Sequence, residues 1–483
     1  MTLLNLLIQS AGFVKLLLIA HLFGTSAVLD GYYLSLVVPT LVIGLLGGML
    51  QTGFTPVYTA LIADSKQNAD RLFSDVFWLT TIVLAPVCLF LALTAYPVAA
   101  LLTLTEDTAV LEATATSMRV IAIVMLANTL ADFLALALNA HKRFFLSAAS
   151  PLVNVVVSTL ALVVGPLGDQ RTLTYGLLAG VSAQLLILIL GLHHGGTRLS
   201  LNWPRLTPEL RRVLSLVSMI ALGVLATNFN GAIDQIMASL LGEGAVSTIG
   251  YANRFHGLVV QILIIGVGTV LLPHVASMVA AGDSDSIRSV FGGIFLILAF
   301  ICSAAALLVT VMAPPVLQWL LTNNQLDLQG IQSISRVWMW YTFGLFPMAW
   351  GIYLARYFQA ARLPLILTRL ALVSCIANVA LNLLLIGPFG LEGLAMSTSL
   401  VYLITGIALS RHFSRALNFS FDTDRRRILM VILLTAFFIV VALGEFAEIP
   451  LSIEIATCFF MMLFAAHILS LIPTARALYS RHG

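Results

Sequence analysis

The sequence predicts an all-α, polytopic membrane protein with fourteen transmembrane helices, and three observations support that prediction. Hydrophobic residues make up 60% of the 483 positions and charged residues only 9%, well below the roughly 25% of a soluble domain. The apolar residues form segments long enough to cross the bilayer, which takes about 20 residues of helix. Charged residues are confined to the short gaps between these segments.

Fourteen apolar segments follow one another along the chain, and no gap is long enough to hold a soluble domain. The longer segments exceed the length of a straight span, so we expect them to tilt, kink or extend beyond the bilayer. The predicted spans are residues 3–22, 30–61, 73–103, 109–140, 146–166, 173–193, 211–241, 246–280, 288–321, 331–361, 365–386, 391–411, 427–446 and 451–472.

The sign of the charge alternates from gap to gap and sets the predicted orientation. Acidic residues dominate every second gap, where Arg171 and Arg336 are the basic exceptions. Short loops rich in Lys and Arg stay cytoplasmic, so an even number of spans places both termini in the cytoplasm. The basic gaps are 62–72, 140–145, 193–212, 281–288, 355–369 and 411–427.

Several classes of function are disfavoured by what the sequence contains. The net charge of +3 resides on loop anchors, so it indicates no nucleic-acid partner. The four cysteines are singletons in separate spans, which favours small apolar packing over disulfide or metal chemistry. No phosphate-binding loop, His-Glu-x-x-His pair or nucleophile elbow is present. We therefore predict that the chain is not an enzyme, and that any uphill transport draws on an ion gradient or the membrane potential.

An internal repeat divides the chain into two halves. Residues 23–28 resemble 241–246, and Tyr33 recurs as Tyr251 at the same offset. Several such matches, at offsets of about 217–224, predict an N-terminal lobe of six helices over 1–198 and a C-terminal lobe over 205–412. Repeats in the same orientation are related by an axis along the membrane normal, and transporters built this way bind substrate between the halves. Residues 427–472 form an additional helix pair.

Two basic residues lie inside predicted spans, where ionisable groups are costly. Lys15 is in the middle of the first span, and Arg254 is about two turns into the eighth. A cavity between the lobes would place them face to face, where Lys supplies a point charge and Arg a bidentate fork for phosphate oxygens. The alternatives are a Lys15 that snorkels or pairs with a structural carboxylate, and an Arg254 that anchors at the outer interface.

Acidic and amide side chains form a second group of candidates. Asp30 lies near an outer helix end and is expected at the interface, with a candidate role as a gate partner. One carboxylate, two amides and a hydroxyl in the later half offer an oxygen cage of low charge, which suits Na⁺ better than Ca²⁺ or Mg²⁺. Its residues are Asp234, Asn378, Asn382 and Thr398. The alternative is polar contact between membrane helices, which Asn and Thr make routinely.

The opening of the chain resembles that of MurJ/MviN-type lipid II flippases, a branch of the multidrug/oligosaccharidyl-lipid/polysaccharide exporter superfamily. The resemblance rests on residues 12–15, 23–25, 30–33 and 54–56 with Pro39, and on 245–255 and 268–273 in the eighth span. It implies V-shaped lobes that flip an undecaprenyl-pyrophosphate-linked saccharide outward, with the lipid tail in a groove beside the last two spans.

Family residues carry over unevenly. Lys15 stands where the family usually has Arg, Leu16 replaces the acid that follows, and Arg254 matches the basic position of the eighth span. The basic pair expected after Pro39 in the second span is absent. The family's sodium site maps onto the four oxygen-cage residues, with Asn382 in place of an acid.

These observations together predict an alternating-access flippase in a bacterial inner membrane, moving lipid II or another polyprenyl-diphosphate-linked glycan precursor to the outer leaflet. Membrane lipid is the surrounding partner, Na⁺ the one candidate cofactor, and glycan-synthesis enzymes are candidate protein partners. One alternative is a cation-coupled multidrug exporter of the same superfamily, which calls for acidic rather than basic cavity residues. The other is a non-transporting scaffold for polysaccharide synthesis.

Overall fold

The structure is a computed structural model that describes residues 2–105, 107–194, 199–200, 203–261, 274–321 and 326–417. Residues 274–280 are helical in addition to the named helices, and no strand occurs within the described ranges. The prediction of an all-α fold is therefore confirmed. The helices are α1 (Thr2–Phe23), α2 (Ala27–Met49), α3 (Thr55–Asp64), α4 (Lys66–Leu93), α5 (Ala95–Leu102), α6 (Thr108–Ala140), α7 (Phe144–Val164), α8 (Gln170–His194), α9 (Pro208–Ala238), α10 (Ala245–Val260), α11 (Ser284–Leu321), α12 (Leu328–Phe343), α13 (Leu345–Ala360) and α14 (Pro364–Leu417).

The described helices overlap the first twelve predicted spans, of which the eighth is described only at its two ends. Eight helices in the described part of the chain are long and apolar enough to cross a membrane. Both members of the predicted helix pair at 427–472 lie outside the described residues, as does the 268–273 motif of the eighth span. The count of fourteen spans is compatible with the structure and stays a prediction, as do the lobe boundaries.

Several of the long predicted spans are interrupted, whereas 109–140 and 288–321 each lie within one continuous helix. A π-helical turn at Leu50–Phe54 separates α2 from α3, and Thr94 separates α4 from α5. Gly344 lies between α12 and α13, and Gly390 breaks α14 with φ 56° and ψ −131°. Kinks of this kind let one span change direction inside the bilayer.

The chain forms two compact units, and each is described by itself. Within the first, α2 packs against α6 and α9, α7 against α8, and α1 against α7. The first unit comprises Met1–Tyr251, Leu321–Gly330 and Ala371–Val379. The second comprises Ala252–Leu320, Ile331–Leu370 and Ala380–Gly483.

Each unit has an aromatic core. In the first unit, the ring of Phe54 stacks on Tyr58 with centroids 4.6 Å apart and meets Phe133 at 4.8 Å. In the second unit, Phe413 lies 4.9 Å from both Phe291 and Tyr357. Aromatic pairs at these separations stabilise packing beyond the area they bury.

The segment between the predicted lobes is fixed to helix α4 within the first unit. The backbone N–H of Ser200 donates to Ser74 Oγ at 3.0 Å, and Trp78 Nε1 donates to the Ser200 carbonyl at 2.8 Å. The N–H of Arg205 donates to the buried carboxylate of Asp75 at 3.2 Å. These bonds hold the end of the linker in place just before α9 begins.

Candidate functional site

Asp30 is fully buried and accepts three short hydrogen bonds from the start of helix α10. Its Oδ2 accepts from the Gly244 N–H at 2.6 Å, and its Oδ1 accepts from the N–H and the hydroxyl of Ser247, both at 2.6 Å. The first N–H groups of a helix lack partners within the helix, and a negative charge is favoured there. Asp30 therefore acts as a cap supplied from another helix, which differs from the interfacial placement expected from the sequence.

A second acid makes the reciprocal contact. Glu243, just before α10, accepts from the N–H of Ala27 at 2.9 Å, and Ala27 is the first residue of α2. Each of two helix starts is thus capped by a carboxylate from the other segment. The two segments, 23–33 and 241–251, are the copies that define the internal repeat.

Tyrosines complete this contact. The hydroxyl of Tyr251 donates to the carbonyl of Gly24 at 2.9 Å, and its ring meets Tyr33 edge-on with centroids 6.5 Å apart. A Cβ on Gly250 would lie 2.8 Å from the Tyr33 ring, so only glycine allows this approach. We call the contact formed by Asp30, Glu243 and Tyr251 the helix-start clasp.

The side chain of Lys15, on helix α1, contacts the neighbouring helix α7. It is half-buried, and its Nζ donates to the Oγ of Ser158 at 2.7 Å. Ser158 is itself buried and donates to the Val155 carbonyl at 3.1 Å. A hydroxyl leaves the lysine charge in place, so this contact orients the ammonium group without neutralising it.

Arg254 is exposed on helix α10 and belongs to the second unit, whereas Lys15 belongs to the first. The face-to-face arrangement of the two cations therefore stays a prediction. Next to Arg254, the ring of Phe255 stacks on Trp338 with centroids 5.2 Å apart. His256 is buried against Tyr341 at 5.7 Å, consistent with a packing role.

Two of the four predicted sodium ligands are in contact. Asn378 Nδ2 donates to the Asp234 Oδ1 at 3.2 Å, and both side chains are buried. One turn away on each helix, Asn230 Nδ2 donates to Ser374 Oγ at 3.4 Å. The first unit thus contains a ladder of polar contacts between α9 and α14, which suits either an ion site or the polar contact weighed as its alternative.

The other two predicted ligands belong to the second unit. Asn382 is fully buried, and Thr398 donates its hydroxyl to the Leu394 carbonyl at 3.1 Å. A threonine oxygen that donates to its own helix can still accept or ligate through its lone pairs. The four-ligand site remains a prediction.

The sequence reasoning missed three charged groups. Glu243 and Asp75 were given no role, and Arg336 was treated only as an exception to the charge pattern. Arg336 Nε pairs with Glu392 at 3.1 Å, and Trp340 Nε1 donates to the same carboxylate at 3.3 Å. A signal for Glu243 was available, because it precedes a predicted helix start in a repeated segment.

Comparison with protein families gives a match over most of the chain. The family model described as "Lipid II flippase MurJ" matches residues 19–470. The probable lipid II flippase MurJ of Rhizobium meliloti is 28% identical over 351 residues, which cover 69% of this chain and 64% of that protein. The probable lipid II flippase MurJ of Haemophilus influenzae is 23% identical, covering 90% of this chain and 89% of its own length. The alignment to the Rhizobium meliloti protein thus spans less than two thirds of its length.

Solved structures show the same fold. A lipid II flippase MurJ in an inward closed conformation superposes with a TM-score of 0.78 at 16% identity, covering 97% of this chain and 98% of that one. An inward-facing multidrug resistance MATE family transporter of the MOP superfamily gives a TM-score of 0.74 at 14% identity, covering 84% and 94%. At these identities the likeness concerns the fold alone.

Proposed function

The chain belongs to the lipid II flippase MurJ family, and we propose that it moves an undecaprenyl-diphosphate-linked saccharide, lipid II or another glycan precursor, to the outer leaflet. The observation that carries the proposal is the half-buried Lys15 inside a membrane span, oriented by Ser158. A cation in such a place is costly, and a substrate diphosphate would offset that cost. The proposed location is a bacterial inner membrane, with both termini in the cytoplasm.

Lys15 and Arg254 are the proposed diphosphate ligands. Lysine offers three donors on a compact charge, and the planar guanidinium of arginine can bind two phosphate oxygens at once. Arg254 is exposed on α10. Hydrogen bonds between ionised groups are roughly twice as strong as neutral ones, which gives the head group its anchor.

Asp30 and the helix-start clasp are the proposed outer gate. Alternating access requires a contact that closes one side in one state and opens in the other. The clasp joins the two copies of the repeat through short bonds to one buried carboxylate and a longer bond to an exposed one. Breaking it leaves helix-start N–H groups that water can satisfy, so opening is feasible once water enters.

The proposed resetting ion is Na⁺ at Asp234 and Asn378, with Asn382 and Thr398 as the further predicted ligands. The support is a buried carboxylate that accepts a hydrogen bond from the neutral side-chain amide of Asn378. Coulomb attraction to a cation is strong in a low-dielectric bundle. The membrane potential is the alternative source of energy, and glycan-synthesis enzymes are proposed protein partners.

Substrate binding distinguishes a flippase from the two alternative functions, a multidrug exporter and a scaffold. A multidrug exporter shares the fold, and a scaffold would bind no substrate at all. The test is native mass spectrometry of the purified chain with undecaprenyl-diphosphate-linked saccharides, undecaprenyl monophosphate and ethidium. We expect the diphosphate lipids to bind at least tenfold more tightly than ethidium, and preferential ethidium binding would favour the exporter.

The matching transport test uses substitutions of Lys15 in reconstituted vesicles. Lys15→Ala should abolish flipping, whereas Lys15→Arg should retain most of it because the charge and the donors remain. Lys66→Ala, at an exposed cation outside the spans, is the control and should flip normally. Near-normal flipping by Lys15→Ala would overturn the assignment.

A further inference from the structure

Three turns between helices share one pattern of backbone hydrogen bonds. In the turn after α6, the N–H of Arg143 donates to the Leu138 carbonyl and the N–H of Lys142 to the Asn139 carbonyl. The turn after α13 repeats this, with Leu363 donating to Phe358 and Arg362 to Gln359. The turn before α11 does the same, with Asp283 donating to Met278 and Gly282 to Val279. This is the Schellman ending of a helix.

The residue after the helix cap is left-handed in all three turns, yet only one of them uses glycine. Gly282 has a φ of 67°, which glycine adopts without strain. Lys142 and Arg362 have φ values of 61° and 57°, and a side chain makes that conformation costly. They are the non-glycine residues with positive φ in the described part of the chain. They lie 220 positions apart, within the offset of the internal repeat.

The same backbone strain occurs at equivalent positions of the two repeats, which indicates that the side chains of Lys142 and Arg362 have a function of their own. The neighbouring Arg143 is engaged, since its guanidinium donates to the carbonyls of Gly191 and His194 at the end of α8. Lys142 and Arg362 are both exposed, and neither makes a side-chain hydrogen bond or ion pair within the described ranges. Their charges are therefore available to a partner other than the described residues.

The residues that follow identify the surroundings of each cation. After Lys142 come Phe144 and Phe145, with 50% and 74% of their surface exposed. After Arg362 come Leu363 and Leu365, with 41% and 66% exposed. An exposed cation next to exposed apolar side chains is typical of the membrane interface, with the apolar groups in the acyl region and the charge among the head groups.

We propose that each of these two turns binds the phosphate group of an anionic phospholipid in the cytoplasmic leaflet. Both turns fall in gaps that the charge pattern assigns to the cytoplasmic side, where anionic lipids attract basic residues. The left-handed backbone places the cation beyond the end of its helix, where it can meet the head-group layer. The sites anchor the inner end of one helix pair in each unit, and they do not depend on the identity of the transported substrate.

The test compares glycine and glutamine variants of the purified full chain. Lys142→Gly and Arg362→Gly remove the strain and the charge together, so each should melt at an unchanged or higher temperature. Phosphatidylglycerol is titrated into the detergent-solubilised protein, and bound lipids are counted by native mass spectrometry. Each single glycine variant should lose one phosphatidylglycerol and the double variant two, while phosphatidylcholine binding stays the same.

Further variants separate charge from backbone shape. Lys142→Gln and Arg362→Gln keep the strain and should lose the same lipids, whereas Lys142→Arg and Arg362→Lys should keep them. Lys66→Gln removes a cation with ordinary helical backbone and should keep the wild-type count. Unchanged phosphatidylglycerol binding in the glycine variants, or an equal loss of phosphatidylcholine, would overturn the proposal. A third result would also overturn it: inorganic phosphate raises the melting temperature of the wild type but not of the variants, while the variants bind as many lipids as the wild type.

Discussion

Two buried carboxylates in the first unit are held in different ways. Asp30 accepts three hydrogen bonds of 2.6 Å from the backbone and hydroxyl groups at a helix start. Asp234 contacts the side-chain amide of Asn378 at 3.2 Å. Backbone donors at a helix start are fixed in place, whereas a side-chain amide can rotate to admit a ligand. These two environments are the basis for proposing Asp30 as part of a gate and Asp234 as an ion ligand.

The two copies of the repeat differ in the positions of their acidic residues. Offset by 218 positions, Asp30 corresponds to Thr248 and Glu243 to Thr25. The backbones follow the same pattern, but the acids occupy different positions, so each copy caps the other.

Loss of the Asp30 carboxylate should have the largest effect. Asp30→Ala leaves two backbone N–H groups without their acceptor, while the Ser247 hydroxyl keeps the Gly244 carbonyl at 3.2 Å. The expected cost is about 2–4 kcal/mol in the free energy of unfolding. Thermal unfolding in detergent measures it, with the exposed Asp64→Ala as the control. Labelling of a cysteine introduced by Thr25→Cys should also become faster from outside. Equal melting of Asp30→Ala and wild type would remove the clasp from the account.

Sodium should stabilise the wild type through Asp234. Ligand linkage gives about 1.4 kcal/mol when the ion is at ten times its Kd. The melting temperature should therefore rise with Na⁺ but not with K⁺ at equal ionic strength, and Asp234→Asn should lose the rise. Equal shifts with both ions would assign the Asp234–Asn378 contact to helix packing alone.

Tyr251→Phe tests the neutral part of the clasp. It removes one hydrogen bond to the Gly24 carbonyl and keeps the ring against Tyr33. A neutral hydrogen bond contributes about 1 kcal/mol, so the melting temperature should fall less than in Asp30→Ala. A larger fall would mean that the tyrosine, rather than the carboxylate, holds the segments together.

Glu243→Ala should have the smallest effect on stability. Its carboxylate is exposed, so water can replace it as the acceptor for the Ala27 N–H. We expect a loss of about 0.5 kcal/mol, measured in the same unfolding series. If Glu243→Ala lowered the free energy of unfolding as much as Asp30→Ala, the burial of the carboxylate would not determine how much it stabilises the clasp.

The sequence predicted the spans better than the contacts between them. Hydropathy predicted apolar helices where the described helices occur, because the bilayer requires long apolar helices wherever the chain crosses it. The interruption at Leu50–Phe54 was not located, since a break inside an apolar segment leaves the hydropathy unchanged. The break at Gly390 falls in the gap between the predicted spans 365–386 and 391–411. Length alone predicted that the longer spans tilt, kink or extend beyond the bilayer.

The sequence identified candidate site residues but not the tertiary contacts that they make. The partner of Asp30 is 214–217 positions away in the chain, so its burial depends on tertiary packing that no local pattern shows. Lys15 was identified because a charge in a span is unusual, whereas its partner Ser158 is one of many serines. Asp234 and Asn378 are in contact, and the sodium site and the role of Arg254 stay predictions.

The most direct test of whether the helix-start clasp opens during transport is to cross-link its two segments and measure lipid flipping. In a cysteine-free background, Ala27→Cys and Glu243→Cys introduce thiols on the two sides of the clasp, and a short bifunctional thiol reagent links them. Glu243 is chosen because its own loss should matter little, and each single variant treated with the reagent is the control. We expect the linked protein to stop flipping diphosphate-linked lipid in vesicles, while the unlinked double variant flips normally. Undiminished flipping by the linked protein would contradict the claim that the clasp opens during transport.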